Sequence, residues 1–150
     1  MSKKNSSLVN PLVSGTGIHM YLAAARWRAA ADDAYRQAGV SPLQFNVLIA
    51  VQALQKNDGS AKQVHIARYA GVDVMTLSKN VRALEESGLV RRLQDPHDSR
   101  ARIVELTREG ANRVKQLEKA LGKIDKQIFA DSKGIAAFEK ILANVFGHTT

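Results

Sequence analysis

Between Gly71 and Leu89, in GVDVMTLSKNVRALEESGL, short donors and cations gather at close spacing: Met75, Thr76, Ser78, Lys79 and Arg82, with Asn80 among them. Hydroxyls, an amide and cations offer hydrogen bonds and positive charge but no nucleophile–base pair. Their chemistry is recognition, and on a helix such a set suits the major groove of duplex DNA. A second cationic group, Arg91, Arg92, Arg100 and Arg102, lies on either side of and within DPHDSR. Arg91 and Arg92 can reach phosphates, one of them turned away because strand side chains alternate. Several of these residues have two readings. Arg82 fits a phosphate or an ion pair with Glu85 or Glu86. Met75 fits a thymine methyl or a gap to be covered. Thr76 is a base contact or a hydroxyl without a partner. Asn80 could read adenine, but its angle suits packing better.

These residues need a helix to hold them, and the sequence marks both of its ends. Asp73 is a good N-cap, with Val72 and Leu77 as a hydrophobic staple. Gly88 stands where a left-handed residue is wanted, so that Leu89 can fold back onto Leu84. Val74, Leu77, Val81 and Leu84 recur at helical spacing and are expected to face inward. Upstream, SAKQVHIARYAG offers Ser60 and Gln63 as a capping box and a short helix ending at Gly71, with Ala67 and Ala70 small enough for a close crossing. Helix, tight turn and capped helix make a helix-turn-helix. Downstream, LVRRLQ and ARIVEL bracket an Asp-Pro turn and read as a hairpin with an arginine-bearing tip. The fold class expected is mainly α with a small β-hairpin wing: a winged helix-turn-helix flanked by N- and C-terminal dimerisation helices.

The flanks follow the same logic. Residues 1–11 read as a flexible tail carrying Lys3 and Lys4. From about residue 12 or 16 to Ala38 the chain is Ala-rich and helical, with Ile18, Leu22, Ala25 and Ala29 on one face and Tyr21 and Trp27 on others. Ser41-Pro42-Leu43-Gln44 opens the next helix with a capping box and a proline at its first position, stapled by Val40 and Phe45. That helix carries Phe45, Val47, Leu48, Val51 and Leu54 to about Gln55, before a KNDGS loop. Thr107 can cap a long helix whose Ala111, Val114, Leu117, Leu121, Ile124 and Ile128 form a narrow stripe suited to packing against another helix. Asp131-Ser132 breaks and recaps. The last helix, with Ile135, Phe138, Ile141, Leu142, Val145 and Phe146, is too apolar to end a monomer. Residues 12–40 and 107–150 are therefore expected to form a dimerisation region, and 41–106 the DNA-binding region.

Composition sets the class. The 150 residues suit about one domain, with 45% hydrophobic, 24% charged and only 5% aromatic residues, and a formal net charge of +8. Such a balance suits a polyanionic partner. No cysteine is present, which excludes a disulfide framework, thiolate metal ligation and cysteine redox switching. His19, His65, His97 and His148 show no metal-ligand spacing, and no Ser-His-Asp order, phosphate loop or paired carboxylates stand out. No metal, cofactor or enzymatic activity is expected. Without a signal peptide or an apolar run of about 20 residues, the protein is expected in the cytoplasm, away from the membrane. A small-molecule site, if built, is expected where the first helix, the Ser41 helix and the long helix from Thr107 converge, with His19, Arg26 and Trp27 as candidates by location. For Trp27, packing at the dimer interface is the better reading.

LQFNVLIAV, then QVHIARYAGVDVMTLSKNVRALEESGLVRR, then DPHDSRARIVELTREG resembles the MarR family of winged-helix transcription regulators. The likeness runs from Ser41 to Gly110, and its most specific part is Asp98-x-Arg100 followed by Leu106-Thr107-x-x-Gly110. It implies a homodimer on a pseudo-palindromic operator, most often a repressor relieved by a small ligand. It also implies that Arg100 enters the minor groove, oriented by Asp98, where a narrow groove concentrates negative potential. Lys79 stands where the family commonly has Arg. An ammonium lacks the bidentate fork that reads guanine, so Lys79 either reads a base more weakly or touches only phosphate. Rival readings are a sequence-neutral architectural DNA protein and a winged helix used to bind another protein.

Overall fold

The computed structural model describes residues 15–129 and 135–147. Its elements run α1 (Thr16–Ala38), α2 (Pro42–Asp58), α3 (Gln63–Ala70), α4 (Val74–Glu86), β1 (Val90–Gln94), β2 (Arg102–Leu106), α5 (Arg108–Phe129) and α6 (Ile135–Gly147). This is the mainly helical winged helix-turn-helix expected. The tail of residues 1–11, the Asp131-Ser132 break and His148 lie outside the described residues. The chain divides into two compact units, one from Ala31 to Ala120 and the other made by the chain up to Ala30 and from Leu121 onward. No described helix is long and apolar enough to cross a membrane.

In the first unit, α2 is the central support. Phe45, Val47, Leu48, Ala50 and Val51 are buried, and the helix packs on α3, α4 and β2. Its start is formed as its sequence dictates: the Ser41 hydroxyl accepts from Gln44 N–H at 3.1 Å, and Gln44 Oε1 accepts from Ser41 N–H at 2.8 Å. Both staple residues, Val40 and Phe45, are buried. The helix runs on to Asp58, past the end at Gln55 expected from its stripe. From α1 this unit takes Ala31, Tyr35 and Ala38, and from α5 Val114 and Leu117, all buried.

One expected cap does not form. Ser60 and Gln63 make no capping box; Lys62 is the N-cap of α3 and gives no side-chain cap bond. The reason is a competing use of the same residues. Val104 N–H donates to Ala61 O at 2.9 Å, and Lys62 bridges Ile103, so Ala61 and Lys62 are drawn alongside β2 as an extra edge. β1 and β2 are antiparallel, with Val90 opposite Leu106 and Gln94 opposite Arg102.

The second unit holds the N-terminal part of α1, the end of α5, and α6. Trp27 Nε1–H donates to Asp125 Oδ1 at 2.6 Å, which ties α1 to α5 within it. Much of its apolar surface is open: Ile18, Tyr21 and Leu22 on α1, Ile128 on α5, and Phe138 and Ile141 on α6 are all exposed.

Candidate nucleic-acid interface

The turn between α3 and α4 is built on Gly71, whose φ of 68° favours a residue without Cβ. Its N–H bonds Arg68 O at 3.2 Å and Val72 N–H bonds Ala67 O at 3.0 Å, closing α3 tightly. Asp73 then caps α4 with both carboxylate oxygens: Oδ1 accepts from Thr76 N–H at 2.8 Å and Oδ2 from the Thr76 hydroxyl at 2.6 Å. The Thr76 hydroxyl bond, reinforced by its N–H, holds the Asp73 carboxyl below its ordinary range. At the far end Gly88 N–H reaches Glu85 O and Leu89 N–H reaches Leu84 O, each at 2.9 Å, and Leu84 and Leu89 are both buried. The Schellman ending is as its residues predict.

Leu77, Val81 and Leu84 face inward, but Val74 does not: it is 54% exposed. Cα–Cβ bonds tilt toward a helix N-terminus, so the side chain of the first helical residue stands ahead of the elements that cover the later ones. The outward stripe is Met75, Lys79, Arg82 and Glu86, spaced by four, three and four residues, and every member is exposed. Met75 is 83% exposed. Ser78 and Thr76 are half-buried on its flanks. Asn80 is tied down, its Nδ2 donating to Thr76 O at 2.8 Å, in line with its packing reading.

The wing is held by carboxylates that its sequence hardly advertises. Glu85, at the end of α4, accepts from Arg92 N–H at 3.0 Å and Arg92 Nε–H at 2.7 Å, and also pairs with the Arg92 terminal nitrogen. The Arg92 bonds keep the Glu85 carboxyl below its ordinary range. Arg91 pairs with Glu105 on the opposite strand at 2.6 Å. Asp95 is buried at the wing's base, with its Oδ1 accepting from His97 N–H at 2.8 Å and its Oδ2 2.8 Å from Lys62 Nζ. The Lys62 contact lowers the Asp95 pKa and raises that of Lys62. At the tip, Asp98 Oδ1 accepts from Arg100 N–H at 2.9 Å and Asp98 O from Ala101 N–H at 2.9 Å. Asp98 thus shapes the backbone of the turn rather than gripping the Arg100 side chain.

This sorts the cations. Among the described residues Lys79, Arg82, Arg100 and Arg102 form no ion pair and are exposed, whereas Arg91 and Arg92 are already paired. With Glu85 held by Arg92, the alternative pairing of Arg82 is not taken up. Pro96 and Asp95 were legible only as a turn; the partnership with Lys62, thirty-three residues away in sequence, had no local signal.

Thr107 welds the wing to α5. Its hydroxyl donates to Gly88 O at 2.6 Å and accepts from Gly110 N–H at 3.0 Å, while its own N–H donates to Leu89 O at 3.1 Å. Gly110 lies so close to this junction that an added Cβ would stand 2.0 Å from Leu89 O.

The ligand candidates are dispersed. His19 and Arg26 are exposed and Trp27 is half-buried against Asp125. A cleft of about 340 Å³ lies elsewhere, lined by Asp32, Tyr35, Arg36, Val40, Ser41 and Pro42. Burial, with Asp32 adding to it, raises the Tyr35 phenol pKa there.

Comparison with known proteins shows what this geometry is similar to. A sequence profile described as MarR family matches residues 38–101. The chain is 25% identical over 114 residues to the uncharacterised HTH-type transcriptional regulator YdcH of Bacillus subtilis, covering 76% of this chain and 78% of that protein. In structure it is similar to CouR of Rhodococcus jostii bound to p-coumaroyl-CoA, with a TM-score of 0.75 and 20% identity over 89% of this chain and 90% of that one. It is also similar to MOSR of Mycobacterium tuberculosis in complex with DNA, with a TM-score of 0.69 and 22% identity over 88% and 93% of the two chains. The capped α4 and the arginine at the wing tip both fall within residues 38–101, the part of the chain that matches the MarR family of winged-helix transcriptional regulators.

Proposed function

We propose that the protein is a homodimeric, sequence-specific repressor that binds a pseudo-palindromic DNA operator and responds to a small ligand. The observation that carries the DNA half is the presence, in one compact unit, of Lys79 and Arg82 on α4 and Arg100 at the wing tip, all exposed and none in an ion pair among the described residues. In this reading α4 enters the major groove, Arg100 the flanking minor groove, and Arg82 and Arg102 meet phosphate. Met75, Thr76, Ser78 and Lys79 face the bases, and Asp98 shapes the turn that presents Arg100. Arg92 serves by bracing the wing. The net charge of +8 and the DNA-bound neighbour MOSR support the reading.

Two copies are part of the proposal. Residues 12–40 and 107–150 form the dimerisation region, supported by the exposed Ile18, Tyr21, Leu22, Phe138 and Ile141. A two-fold pair would present its recognition helices to half-sites about 34 Å apart. Repression follows from the family likeness, and a ligand response is supported by the CouR complex. His19, Arg26 and Trp27 on one hand, and the cleft at Asp32, Tyr35 and Arg36 on the other, offer two places for an effector; thermal shift with aromatic acids, repeated on Trp27→Ala and Tyr35→Phe, separates them.

The decisive experiment selects bound fragments from genomic DNA and measures their Kd against random duplex. A recovered symmetric motif bound at least about a thousandfold more tightly than random DNA is expected. Equal affinity for both would favour the architectural alternative. Sedimentation at micromolar concentration should give a dimer, and a monomer alone would remove the two-fold reading.

A further inference from the structure

The residues that lead α4 are not polar. Val74 and Met75, its first two residues, are 54% and 83% exposed. Scattered exposed apolar side chains need no explanation. Here they are adjacent, at the turn of a recognition helix whose N-terminal residues meet base edges. Two of the polar side chains around them are engaged: the Thr76 hydroxyl donates to Asp73 and the Asn80 amide to Thr76 O. One and two turns behind Met75 on the same stripe stand Lys79 and Arg82, both exposed. In the major groove the one apolar group on a base edge is the 5-methyl of thymine.

Resting on the DNA-binding reading above, we propose that Val74 and Met75 read thymine methyl groups, so that apolar contact rather than bidentate hydrogen bonding sets much of the base preference of α4. A thioether chain is polarisable and adapts to its neighbours. The operator should therefore carry thymines, on one strand or the other, at the positions facing the start of α4.

The test uses the full-length protein and the duplex recovered by selection, with each thymine replaced singly by deoxyuridine, which removes only the methyl. Wild-type affinity should fall about fourfold at individual positions, the equivalent of ~0.8 kcal/mol for one apolar carbon. Met75→Ala and Val74→Ala should bind more weakly and should lose sensitivity to deoxyuridine at those same positions. Both residues are exposed, so the variants should melt with the wild type, and matched melting is the control for folding. Sequence-specific binding that no deoxyuridine weakens, or a deoxyuridine penalty that persists unchanged in both variants, overturns the proposal and leaves the DNA-binding reading intact. Failure to recover any preferred duplex would instead refute that reading itself.

Discussion

Lys62 Nζ stands 2.8 Å from Asp95 Oδ2, and the carboxylate it meets is 4% exposed. Lys62 is also the N-cap residue of α3 and bridges Ile103 of β2. One ion pair therefore joins the helix-turn-helix to the base of the wing, and so helps fix where Arg100 stands relative to α4.

Asp95→Asn should lower the Tm by several degrees at neutral pH and weaken DNA binding as the wing loosens. The pH dependence has a definite sign. Because the folded Asp95 pKa lies below 3.8, the stabilisation is full above that value and is lost as pH falls through the lower folded value. The raised Lys62 pKa keeps its share full below 10.5, to be lost as pH climbs through the higher folded value. Melting curves of wild type and variant should stay apart between these limits and converge in strong acid. A gap that persists unchanged below the folded carboxyl value would refute the pairing.

Gly110→Ala should be severely destabilising. The added Cβ would fall 2.0 Å from a backbone oxygen, Leu89 O, which cannot swing aside as a side chain can. Overpacking of this kind costs roughly 3 kcal/mol or more, a fall in Tm of about 6–12 °C for a chain of this size. Thermal melting of the purified variant checks it, and a Tm within a degree of wild type would show that the junction yields.

Arg100→Ala should weaken operator binding by about 1–3 kcal/mol, roughly five- to 150-fold, with an unchanged Tm. Asp98 tests how the arginine is presented. Its carboxylate accepts from the Arg100 N–H, a bond that an amide oxygen can replace. Asp98→Asn should bind within about threefold of wild type, well inside 1 kcal/mol, and Asp98→Ala should bind distinctly worse. Equal losses in both would mean that the charge, not the turn, is what matters.

Arg92→Ala separates bracing from DNA contact. Its guanidinium is spent on Glu85. The substitution should lower the Tm yet leave the slope of log Kd against log salt unchanged. Loss of a phosphate contact would instead reduce that slope by about 0.9. The Glu85 carboxyl is held below 4.5, so the bracing should be full above that pH and fade as acid protonates Glu85.

Much of this molecule was legible in its residues because the signals are local. Asp73, Gly88 and Leu89 mark the ends of α4 through bonds spanning at most five residues, and Ser41-Pro42-Leu43-Gln44 begins α2 as it stands. Periodicity identified Leu77, Val81 and Leu84 as core. Where reading by period failed, the cause was position in three dimensions: Val74 fits the stripe but projects beyond the elements that cover its neighbours. The Ser60–Gln63 capping box failed because β2 claimed Ala61 and Lys62, a competition that no local pattern contains. The chain thus determined its helices, its hairpin and its cationic candidates, since caps, turns and stripes are short-range physics. Only the tertiary structure decided which cations are free and which are paired, because Glu85 with Arg92 and Lys62 with Asp95 meet through folding and not through spacing.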